Sequence, residues 1–97
     1  MEYDVINYDV LGNPKDGYEV NDAHYTGLTI TVNDDDTDAN IVKALQNVGF
    51  LQDRLHRSKF EVDGDPEYTL YVNATHSRYG GLYPLCELRA KAKGVQN

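Results

Sequence analysis

The 97 residues, 40% hydrophobic and 26% charged, suit one globular domain over 1–97 and exclude wholesale disorder. A formal charge of −7 opposes general affinity for nucleic acid or anionic membranes and favours basic partners. The single cysteine, Cys86, excludes an intramolecular disulfide, and no run approaches the roughly 20 apolar residues that span a bilayer.

The first strand candidate lies in Tyr3–Val10, where Val5, Ile6, Tyr8 and Val10 favour extended backbone. Gly12-Asn13-Pro14-Lys15-Asp16-Gly17 is dense in turn formers, and Tyr18-Glu19-Val20 resumes as strand, so a hairpin with its tip at 12–17 is predicted. Asn21-Asp22 and Gly27 then interrupt the pattern. Leu28-Thr29-Ile30-Thr31-Val32 alternates as a half-buried strand, counted as a third.

Asp36 or Thr37 can cap a helix, with the neighbouring carboxylates at its positive end. The spacing of Ile41, Ala44, Leu45 and Val48 predicts an amphipathic helix over about 37–48, ended by Gly49, with Phe50 and Leu51 folding back on the core. Gln52–Arg57 reads equally as a helical turn or a loop. Lys59–Asp63, Tyr68–Asn73 and Leu82–Ala90 follow as strands, joined by Asp63-Gly64-Asp65-Pro66 and by a loop over His76–Gly81. Residues 91–97 are a polar tail expected to fray. The predicted fold is α+β: one mostly antiparallel sheet of about five to six strands with the helix on one face, for which a β-grasp-like layout is one arrangement.

Two segments, Tyr8-Asp9-Val10-Leu11-Gly12-Asn13-Pro14-Lys15-Asp16-Gly17-Tyr18-Glu19-Val20-Asn21-Asp22 and Leu85-Cys86-Glu87-Leu88-Arg89, flank the acidic helix cap and the strand Tyr68–Asn73. In that order they resemble small uncharacterised bacteriophage proteins of gokushovirus-like microviruses. The resemblance implies an accessory protein made inside an infected bacterium, and it brings no catalytic residues. The acidic start Met1-Glu2-Tyr3-Asp4 lacks the basic and apolar regions of a signal peptide, so the cytoplasm is the expected compartment.

Chemistry-bearing patterns are sparse. Asp34, Asp36 and Asp38 have the spacing that opens a calcium loop, but Ala39 stands where glycine is required and Leu45 where glutamate is. His24, His56 and His76 lack metal-ligand spacing, so no metal or cofactor is expected. Cys86 alternates with Pro84 and Leu88 and is expected in the core, away from any base. With no convergent site, the expectation is a non-enzymatic protein.

Charge singles out one surface. Residues 1–40 hold ten acidic side chains and one basic one, a net of −9, against +2 for the remainder. Four of those acids belong to the helix cap, which leaves −5 on the first 33 residues. Asp4, Asp9, Asp16, Glu19 and Asp22 stud the first hairpin with Tyr3, Tyr8, Tyr18 and Tyr25 among them. Carboxylates interleaved with tyrosines can imitate DNA toward a basic groove. The expected binding residues are therefore Asp4, Tyr8, Asp9, Asp16, Tyr18, Glu19 and Asp22, facing a host or phage protein with a basic surface. A counter-defence inhibitor of anti-CRISPR or anti-restriction type is the sharpest version.

The alternative is a sheet that stacks single-stranded nucleic acid or grips an anion with Tyr71, Arg78, Tyr79, Tyr83 and Arg89. A small-ligand sequestering protein built on the Arg78–Gly81 loop is a third reading. A homodimer through an exposed strand edge is compatible with each.

Overall fold

A computed structural model describes residues 1–13, 15–33, 35–51, 58–65, 67–76 and 80–91. Five strands and one helix follow in the order β1 (Glu2–Asn13), β2 (Gly17–Thr31), α1 (Asp38–Asn47), β3 (Ser58–Asp65), β4 (Thr69–His76) and β5 (Gly80–Ala90). They form a single sheet of order β2-β1-β5-β4-β3 with every adjacent pair antiparallel. The α+β description holds, with the helix a minor part of a mostly β molecule. β1–β2 is a hairpin, β3–β4–β5 is a meander, and the β1–β5 pairing joins them. α1 lies in the connection between the two edge strands, β2 and β3.

The alternation read from the sequence explains which face is covered. Tyr3, Val5, Ile30, Val32, Leu70, Val72, Leu85, Cys86 and Leu88 meet Ile41, Leu45 and Leu51 in one cluster. Burial of these side chains, at about 1.5–3 kcal/mol each, is the main term holding the helix to the sheet. Tyr3, grouped with the hairpin tyrosines on sequence grounds, is instead core at 1% exposure. Phe50 packs at the border of the cluster and Leu51 within it, as their position after Gly49 predicts.

Local chemistry bounds the helix. The Thr37 hydroxyl accepts from the Asn40 N–H at 3.2 Å. At the other end Gly49 has φ +82°, and the Phe50 and Gly49 N–H groups donate to the Leu45 and Gln46 carbonyls at 3.0 Å each, closing the last turn. Asp36 accepts from the Asn33 N–H, and Asp38 accepts from the Val62 N–H on the β3 edge. Of the acidic run, Asp36 thus closes the turn before the helix and Asp38 tethers the helix to β3.

Two readings of strand phase need correction. The separate strand expected at 28–32 is the end of the 15-residue β2, because Asn21 and Gly27 lie at register shifts that bend the strand without ending it. In β5, Val72 pairs with Cys86 but Asn73 pairs with Pro84, so Leu85 is an extra residue. That bulge breaks the expected alternation of Cys86 with Pro84, and it puts Tyr83, opposite the buried Ala74, on the core face. Among the described residues no helix is long and apolar enough to cross a membrane.

Candidate functional site

β1 pairs with β5 only from Tyr3 to Asn7. Beyond Asn7, among the described residues, β1 and β2 pair with each other alone out to Asn13 and Gly17. Every described residue from Leu11 to Gly27 except the half-buried Tyr18 is exposed. The ribbon is therefore an exposed arm that touches β5 where Tyr18 meets Tyr83. Its base is stitched where β2 bulges opposite Val5: the Thr26 hydroxyl donates to the Val5 carbonyl at 2.8 Å and accepts from the Leu28 N–H at 3.0 Å. At the tip, the Asn13 side-chain oxygen accepts from the Lys15 and Asp16 N–H groups, and its amide donates to the Asp16 carboxylate.

The arm gathers some predicted residues and separates others. Asp9 and Asp22 face each other across the ribbon, an unfavourable like-charge pair that His24 relieves. Its Nε2 lies 2.6 Å from Asp9 Oδ2 and 3.7 Å from Asp22 Oδ2. The hydrogen bond to Asp9 and then the charges of Asp9 and Asp22 raise the imidazole pKa above its ordinary 6.5. The possible ligand atoms of these three exposed residues lie within 4.8 Å of one another, close enough for a divalent cation after rearrangement. The direct His24–Asp9 bond already accounts for the arrangement. The sequence reading missed His24 here because Asp9 reaches it only through strand pairing; the local signal was the Asp22-x-His24 spacing.

Asp16 and Glu19 are exposed near the tip, whereas Asp4 is half-buried at the sheet, 3.7 Å from Lys91 Nζ. Tyr8 is also held by the sheet. Its hydroxyl donates to Glu87 Oε1 at 3.1 Å, and burial, followed by the Glu87 charge, pushes its pKa well above the usual phenol value. Glu87 in turn accepts from Arg89, whose guanidinium donates to the Tyr25 hydroxyl at 2.9 Å and lies 5.7 Å from that ring's centre. Tyr18 meets Tyr83 edge-on with ring centres 4.8 Å apart, linking the arm to β5. Where β1 and β5 part, a cleft of about 530 Å³ opens between the arm and the Tyr83–Leu85 stretch.

The alternative set is divided by the sheet. Tyr71 pairs with Glu87 on the face opposite the core, as does Arg89 with Asp4, whereas Tyr83 is on the core face. A single stacking platform of Tyr71 and Tyr83 is excluded by this register. Arg78 and Tyr79 lie outside the described residues. Cys86 is fully buried, and burial, with the neighbouring Glu87 charge, pushes its thiol up to about 12, so it is a packing group and not a thiolate nucleophile. In comparisons with family models, curated proteins and solved structures, nothing matches this chain.

Proposed function

We propose that this chain is a non-enzymatic accessory protein that binds another protein through the acidic, tyrosine-bearing arm. The observation that carries the reading is the projection of the β1–β2 ribbon past Asn7, with Asp9, Asp16, Glu19 and Asp22 exposed along it. The Thr26–Val5 bond at the base of the ribbon and the Tyr18–Tyr83 contact tie it to the sheet, which lowers the ordering cost of presenting its charges. Its partner has a basic surface, and a DNA-mimicking inhibitor in the cytoplasm of a phage-infected bacterium is the sharpest form of the proposal. Asp4 drops to the margin of the site, since Lys91 partly neutralises it.

Charge reversal at Asp9, Asp16, Glu19 and Asp22 tests the reading. Tagged wild-type and reversed chains are used to capture partners from bacterial lysate, and the affinity for the captured protein is measured. A loss of at least tenfold is expected in a chain that stays folded, its thermal midpoint lowered only by the lost His24 pairs. Equal affinity for both forms removes the arm as the binding surface.

A further inference from the structure

Among the described residues, β1 past Asn7 pairs only with β2, and β5 before Cys86 pairs only with β4. Among the described residues, the second edge of β1 past Asn7 is therefore left without a strand partner beside the cleft. The lining includes the consecutive run from Asn7 to Leu11. Successive residues point to opposite faces, so a cleft touched by all of them runs along the strand's edge and not over one face. The volume of about 530 Å³ falls within the range of ordinary ligand sites.

The side chains at this edge have a definite character. Among the described lining residues Asp9 supplies the only formal charge, one of its oxygens already engaged by His24 at 2.6 Å; Tyr8 and Tyr83 supply aromatic rings, and Leu85 an apolar surface. A carboxylate beside tyrosines suits a guanidinium, which can pair with the acid and lie against a ring. The chain already uses this chemistry nearby, where Arg89 engages the Glu87 carboxylate and the Tyr25 ring.

We propose that the cleft binds an extended, arginine-bearing peptide segment of the partner protein, which adds backbone hydrogen bonds to the open edge of β1 and sets its arginine against Asp9. This deepens the binding role proposed for the arm and rests on it. Strand addition supplies affinity through the main chain, and the arginine supplies selectivity.

The probe is the capped tripeptide acetyl-Val-Arg-Val-amide, compared with the same peptide carrying uncharged citrulline in place of arginine. Both are titrated into the ¹⁵N-labelled full chain and followed by amide shifts. The expected result is saturable shifts centred on residues 8–11 and 82–85 with the arginine peptide. Affinity should fall at least fivefold for the citrulline peptide and for the Asp9→Asn variant. No shifts at millimolar peptide, shifts centred elsewhere, or an equal response to the citrulline peptide overturns the proposal. Such a failure is separable from failure of the arm itself, because partner capture by wild-type and charge-reversed chains is scored without the peptide.

Discussion

At Gly12 the backbone has φ +116°, and a Cβ added there would meet the Gly17 carbonyl oxygen at 2.1 Å. Gly64 repeats the arrangement in the second hairpin, with φ +119° and the Thr69 carbonyl oxygen at 2.3 Å. Gly49 also has a positive φ, but nothing lies within 4 Å of its added Cβ. Gly12→Ala should therefore cost about 2–3 kcal/mol through strain plus a backbone clash, and Gly49→Ala about 1 kcal/mol through strain alone. Urea denaturation of the two variants checks this, and equal losses would contradict it. His24 carries the pH prediction. Its folded pKa is raised above the ordinary 6.5, so its contribution to stability is complete below that value and is lost as pH rises through the folded pKa. Thermal midpoints from about pH 5 to 9 should show this decline in the wild type, and His24→Gln should remove it. All three glycines were legible in sequence as turn formers, but the carbonyls that Gly12 and Gly64 face were not, because those contacts are made across a hairpin.

Among the elements, α1 was the most legible, because capping and termination are local chemistry. Thr37, Ile41, Leu45 and Gly49 occupy the roles their spacing predicts. Thr37→Ala should cost about 1 kcal/mol and Thr37→Ser much less, measured by chemical denaturation. A loss equal for the two would show that the hydroxyl is not what stabilises the turn. The hairpin loops were legible for a similar reason. Gly12-Asn13-Pro14 and Gly64-Asp65-Pro66 carry related chemistry, and the Asn13 and Asp65 side chains each accept from loop N–H groups two residues on. Strand phase was less legible. Asn21, Gly27 and Leu85 look like breaks or ordinary strand residues until the partner strand is known. A bulge is defined by a mismatch between two strands, and one strand's sequence carries only half of it.

For the whole molecule, the uneven charge resolves into separate jobs. Asp36 and Asp38 serve the helix and its tether, Asp4 and Glu87 meet cations at the sheet, and Asp9, Asp16, Glu19 and Asp22 remain on the arm. Binding through those four should weaken steeply as salt rises from about 0.05 to 0.5 M, since screening shortens to a few ångströms over that range. Isothermal titrations with the captured partner at several salt concentrations measure the slope, and a flat response would point to apolar docking instead. The sequence by itself determined the α+β class, the helix with its caps, the turn positions and the burial of Cys86, because each follows from local propensity or from alternation within one segment. Only the tertiary structure decided that the first hairpin outruns its sheet, that Asp9 meets Asp22 and His24, and that Tyr71 and Tyr83 part to opposite faces. Those outcomes depend on register between distant strands, where a shift of one residue reverses the face every side chain occupies.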